Sequence, residues 1–195
     1  LEDRKEFLKI LRTTVTVVML IGLPIAGGFT VFSREIITLV SGRGFLPASG
    51  ALVFVMWAAA VLFVNLVFLY AFVAMNRQKT AMLVSCVTLA ANVLANVYLI
   101  PRFSYLGATA ALVLSESAGL LCGVLFIRRC VSEFSLSVFP RAAVAGGAMA
   151  AALFLPAGPL IRFPLAMAVF ALAACAARLV TRDELLLLRS LVRKR

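Results

Sequence analysis

Apolar residues along this chain come in long unbroken runs separated by short polar breaks. The strict alternation of a half-buried strand does not organise them. A helix needs about 20 apolar residues to cross a hydrocarbon core of about 30 Å. Six segments meet or approach that length: Thr13–Phe32, Gly50–Val73, Thr80–Ile100, Leu106–Ile127, Ala142–Ala157 and Phe163–Val180. The fifth is the weakest, being short and rich in Ala. Strands with open edges cannot cross lipid because their backbone groups go unpaired, and continuous runs do not fit a barrel. The pattern predicts an all-α, polytopic membrane bundle of six transmembrane helices over residues 13–180.

Composition sharpens this picture. The hydrophobic fraction is 64% and the mean hydropathy +1.09, against roughly 45–50% apolar residues in a soluble domain. A 195-residue soluble protein has no interior able to hide so much apolar surface, so lipid takes the place of a core.

A net charge of +11 and a pI near 10.6 raise the question of nucleic acid. The basic residues, however, are not gathered on one polar face with aromatics between them; they sit in the breaks. Alternating those breaks across a bilayer places 15 of the 19 Lys and Arg on one side. These are the N-terminal group (Arg4, Lys5, Lys9, Arg12), Arg77 and Lys79, the group Arg128, Arg129 and Arg141, and the tail. Arg34, Arg43, Arg102 and Arg162 fall on the other. The positive-inside rule makes the richer side cytoplasmic, together with both termini. No nucleic-acid partner is expected.

Both ends read as interfacial. Residues 1–12 set Phe7, Leu8 and Leu11 against Lys5, Lys9 and Arg12. In residues 181–195, Thr181 and Glu184 have capping-box spacing, and Leu185 to Leu188 with Leu191 form an apolar face among Arg189, Arg193 and Lys194. Such stretches are expected on the inner leaflet, held by anionic lipid; a solvated tail is the plainer alternative. The chain begins at Leu1, which points to a piece of a longer protein.

Inside the spans a few residues carry chemistry. Gly107, Ala111, Ser115, Gly119 and Gly123 recur every four positions and form a helix-packing stripe, since small side chains let backbones approach closely. Glu116 lies near the middle of the same span, where an ionisable group costs roughly 2.5 kcal/mol or more. It is a candidate coupling-ion, proton or substrate site; equally, it is a hydrogen-bonded carboxyl with a purely structural role. Ser85, Thr88, Asn92 and Asn96 share one face of the third span. They either line a cavity that meets sugar hydroxyls or bond neighbouring helices. Asn65 stands alone in the second span. Pro24, beside Gly22, Gly27 and Gly28, is a hinge candidate in the first.

Catalysis and metal binding find little here. The chain has no His, which removes Ser/His pairs and His-based metal sites. Glu116 is the one acid within the expected spans. Cys86, Cys122, Cys130 and Cys175 form no Cys-x-x-Cys pair. No metal, cofactor or enzymatic activity is expected.

A family resemblance runs through the chain. Phe45-Leu46-Pro47-Ala48-Ser49-Gly50-Ala51 leads into the second span and Ala74-Met75-Asn76-Arg77 closes it. Asn92-Val93-Leu94-Ala95-Asn96, Leu99-Ile100-Pro101, Tyr105-Leu106-Gly107-Ala108-Thr109-Ala110-Ala111 and Ser115-Glu116 follow in order. This succession resembles the multidrug/oligosaccharidyl-lipid/polysaccharide flippase superfamily, in particular its polysaccharide-biosynthesis C-terminal domain. The resemblance implies the second six-helix lobe of a MATE-like flippase fold, partnered by an N-terminal six-helix lobe. It implies alternating-access export of a polyprenyl-pyrophosphate-linked oligosaccharide, such as an O-antigen, capsule or exopolysaccharide unit, across the bacterial inner membrane. An ion-coupled multidrug antiporter, a lipid II flippase lobe and a non-transporting membrane scaffold are the alternatives. One departure stands out: a pyrophosphate favours Arg or Lys partners, and none lies at mid-depth in these spans. The clamp is therefore expected in the other lobe, or at Arg34 or Arg43 on release.

Overall fold

The computed structural model describes residues 2–131, 134, 137–153 and 158–177. The tail expected at the inner leaflet, residues 181–195, lies outside them. Among the described residues the chain is nearly all helical: α1 Glu2–Ser41, α2 Ser49–Ala74, α3 Gln78–Cys130, α4 Val138–Leu153 and α5 Pro159–Ala176, with a 3-10 turn Arg43–Ala48 ahead of α2.

Three of these segments are long and apolar enough to cross a membrane: Arg4–Ser41, Arg43–Ala74 and Gln78–Cys130. α2 agrees with the expected second span to one residue at each end. α1 runs 40 residues, about 60 Å at 1.5 Å per residue, so the basic stretch before Thr13 continues the first span as one helix. The expected third and fourth spans share α3, whose 53 residues make about 80 Å if straight, far beyond one hydrocarbon crossing. It is not straight. Ser104 has φ 52° and ψ −132°, a conformation that non-glycine residues rarely adopt. The break divides α3 into a first limb (78–103) and a second limb (105–130). Pro101, where the sequence pattern ends the third span, stays inside the helix; the chain breaks three residues later.

The chain divides into two compact units. One covers Ile21–Glu133. In it the two limbs of α3 fold back on each other, with α2 packed against them. The limbs meet at Leu99 with Gly107, Asn92 with Ser115, and Thr88 with Gly119, residues that run in opposite directions along the chain, as an antiparallel hairpin requires. A Cβ on Gly107 would collide with the carbonyl of Leu99, so the closeness of the turn depends on a missing side chain. Between α2 and α3, Asn76 takes a left-handed φ of 58°. Arg77 N–H then bonds the Phe72 carbonyl at 2.8 Å, the six-to-one bond of a Schellman cap. α1 also meets α2: Trp57 Nε1 donates to Thr30 Oγ1 of α1 at 3.1 Å, and Gly22 faces Ala60.

The other unit comprises Leu1–Leu20 and Phe134–Arg195. Here α4 packs on α5. α4 buries Val138, Ala142, Ala145, Gly146, Met149 and Ala152, a stripe at helical spacing made mostly of small residues. Ala166, Phe170 and Ala174 of α5 are buried as well.

Candidate functional site

The polar residues of the Ile21–Glu133 unit gather between α2 and the two limbs of α3. Each arrives for a simple reason. In the second limb, a four-residue step drifts only slowly around a helix. Gly107, Ala111, Ser115, Gly119 and Gly123 therefore form one buried row, and Glu116, one position further on, is buried beside it at 8% exposure. In the first limb, steps of three and four put Ser85, Thr88, Asn92 and Asn96 on the face toward that row. α2 brings Asn65 in from the third side.

These side chains are linked by hydrogen bonds. Asn96 Nδ2 donates to Asn92 Oδ1 at 2.9 Å, Asn92 Nδ2 to Ser115 Oγ at 3.1 Å, and Ser115 Oγ to the Leu112 carbonyl at 2.9 Å. Asn65 Nδ2 donates twice to one residue: to Glu116 Oε2 at 2.7 Å and to the Glu116 carbonyl at 2.9 Å. Thr88 Oγ1 bonds the Val84 carbonyl at 3.0 Å and abuts Gly119, where a Cβ would strike it. Gly119 thus lets Thr88 and Asn65 approach the second limb together. Gly123 does the same for Phe68.

A cavity of about 400 Å³ opens among them. Its polar lining is Asn65, Ser85, Thr88, Asn92, Ser115 and Glu116; the rest, including Leu62, Leu69, Phe72 and Leu89, is apolar. Ser85, Leu62 and Leu89 are exposed, so the cavity reaches the surface of the unit. Its lining carries one ionisable group, Glu116, and no basic residue. Hydroxyl and amide groups on apolar walls suit a ligand with hydroxyls to satisfy and apolar faces to cover.

Six of the residues singled out from the sequence, Asn65, Ser85, Thr88, Asn92, Ser115 and Glu116, line this cavity. Asn96 reaches it through Asn92. Pro24 lies in α1, away from its walls. Arg34 and Arg43 are exposed. The Asn65–Glu116 pair was not visible in the sequence, since spacing within one helix says nothing about a partner on another. The available signal was energetic: an amide and an acid, each costly alone at membrane depth, are cheaper together.

Comparison with known proteins gives this arrangement a family. No curated protein sequence matches the chain. A solved structure, lipid II flippase MurJ in an inward closed conformation, aligns with 91% of this chain and 40% of its own length, at a TM-score of 0.74 and 14% sequence identity. That likeness is one of fold: the chain spans less than half of the flippase it matches. The sequence model of the lipid II flippase MurJ family matches residues 1–181. The flippase superfamily expected from the motifs therefore holds at the coarser level, while the family found is the lipid II flippase rather than the polysaccharide exporter. With its long apolar helices and this family match, the chain is a multi-pass membrane protein belonging to the lipid II flippase MurJ family.

Proposed function

We propose that this chain is part of a flippase that moves lipid II across the bacterial inner membrane. The family match over residues 1–181 carries the reading. It favours lipid II over the O-antigen or capsule unit expected from the motifs. The α2–α3 cavity supports it from the structure. Polar side chains inside apolar helices are expensive, and a cluster of them bordering an open cavity offers hydrogen bonds to a sugar-bearing headgroup whose lipid tail stays in the bilayer. The charge distribution supports cytoplasmic termini. The basic residues that lie nearest the expected outer surface, Arg34, Arg43 and Arg102, suit contact with a phosphate on release.

The test uses the full-length protein. In cells depleted of their own lipid II flippase, its expression is expected to restore growth and the appearance of lipid II on the outer leaflet, read by an impermeant lipid II-binding probe. Replacing Asn92 with Leu, which removes the bond to Ser115, is expected to reduce that appearance several-fold without loss of protein from the membrane. Restored O-antigen export with no change in lipid II exposure would overturn the substrate.

A further inference from the structure

Hydrogen-bond accounting at Glu116 leaves one place open. Asn65 uses both hydrogens of Nδ2, one on Glu116 Oε2 and one on the Glu116 carbonyl. Its own Oδ1 is buried and has no hydrogen-bond partner. Buried amide oxygens without a donor are uncommon and costly. Across from it, Glu116 uses Oε2 and the main-chain oxygen, and no bond engages Oε1. The pair is thus one donor short, and the two free positions are the remaining oxygen of the amide and the remaining oxygen of the acid.

We propose that Asn65 and Glu116 form a proton-binding site inside the membrane, in which an incoming proton closes a cyclic acid–amide pair. The proton adds to Glu116 Oε1 and is donated to Asn65 Oδ1. Both Nδ2 bonds are kept, so the main-chain carbonyl, both carboxyl oxygens and the amide oxygen are all satisfied. One positive charge enters, the carboxylate becomes a neutral acid, and no other bond is made or broken.

Three further observations favour a proton as the ligand. The lining of the cavity holds no Lys or Arg to neutralise Glu116. Among the described residues, the elements packed around Glu116 place no second titratable side chain in that lining: Tyr70 of α2, and Lys79, Cys86, Tyr98, Arg102, Tyr105, Cys122, Arg128, Arg129 and Cys130 of α3, lie outside it. The cavity also reaches the surface of the unit through Ser85, so the carboxyl is not sealed inside the helices. Since Asn65 belongs to α2 and Glu116 to α3, the closed pair ties these helices by one more bond than the open pair, and proton binding bears on how firmly they hold together. The proposal takes from the flippase reading only that these helices lie in a membrane.

Infrared difference spectroscopy of the full-length protein in lipid nanodiscs tests it directly. Acidification is expected to produce a protonated-carboxyl C=O band that is absent in Glu116→Gln. Asn65→Leu should keep the band but shift its frequency, because the amide partner is gone. Glu116→Asp, which retains an acid but shortens its reach, should also shift the band, and it serves where Glu116→Gln fails to fold. A wild-type spectrum matching that of Glu116→Gln at every pH would overturn the proposal. So would a band indifferent to Asn65→Leu, or a carboxylate signal that responds to Na⁺ at fixed pH, which would make the ligand a metal cation. None of these readouts depends on transport, so failure of the lipid II assignment leaves the result interpretable.

Discussion

Gly119 shows how much of this fold is decided by single atoms. A Cβ built there collides with Thr88 Oγ1 and comes within 3.3 Å of Asn65 Nδ2. Those two side chains frame the cavity from different helices, so one added methyl group pushes on both. Overpacking of a tight site costs about 1–3 kcal/mol. Gly119→Ala is expected to lower the unfolding midpoint of the purified protein, and Thr88→Ala in the same chain should recover most of the loss by opening space. A double-mutant cycle in a detergent or lipid thermal assay measures that coupling; additive effects would show that the contact does not govern packing here. The four-residue recurrence of small residues pointed to Gly119 from the sequence alone. Its obstacle, Thr88, did not emerge that way, because the collision exists only once the hairpin is folded.

At the scale of elements, the two irregularities of the helices differ in how legible they were. Pro24 is plain in the sequence: it has no N–H to give the Leu20 carbonyl, four residues earlier. If α1 bends there during transport, Pro24→Ala should restore that bond, raise thermal stability and slow lipid II flipping by the full-length protein; unchanged flipping would remove the hinge role. Ser104 was hidden. The pattern placed the end of the third span near Pro101, yet a proline is accommodated in a membrane helix, and here the helix carries on through it. The turn falls at Ser104, which holds φ 52° between Arg102, stacked 3.6 Å from the Tyr98 ring centre, and Tyr105, whose hydroxyl donates to the Pro47 carbonyl at 3.2 Å. Contacts on both flanks hold the serine in a conformation that costs about 1–3 kcal/mol for a non-glycine residue. Ser104→Gly is therefore expected to raise stability, by up to about that amount less the entropy glycine gains in the unfolded chain. A lower unfolding temperature would show that the serine side chain itself holds the turn.

For the whole molecule, the hydrophobic runs were enough to identify lipid as the solvent and the helix as the element, while the pairing of helices and the family's substrate lay beyond them. Topology is where sequence and fold now constrain each other. The limbs of α3 are antiparallel, so Arg77 and Lys79 at the start of the first and Arg128 and Arg129 at the end of the second must emerge on the same face, with Arg102 and Ser104 at the opposite end. The first limb separates Arg77 from Arg102 by about 37 Å of helix at 1.5 Å per residue, more than the thickness of the hydrocarbon core. One face thus carries four basic side chains from this hairpin and the other carries one, the asymmetry expected if the four stay cytoplasmic. Labelling tests this once the native thiols Cys86, Cys122, Cys130 and Cys175, all free, are replaced by Ala. In that background Arg102→Cys is expected to react with an impermeant maleimide added outside intact inner-membrane spheroplasts. Arg77→Cys and Arg128→Cys should react only after the membrane is opened. Labelling of Arg77→Cys and Arg102→Cys from the same side would mean that the first limb does not cross the bilayer, and the hairpin would have to lie within one leaflet.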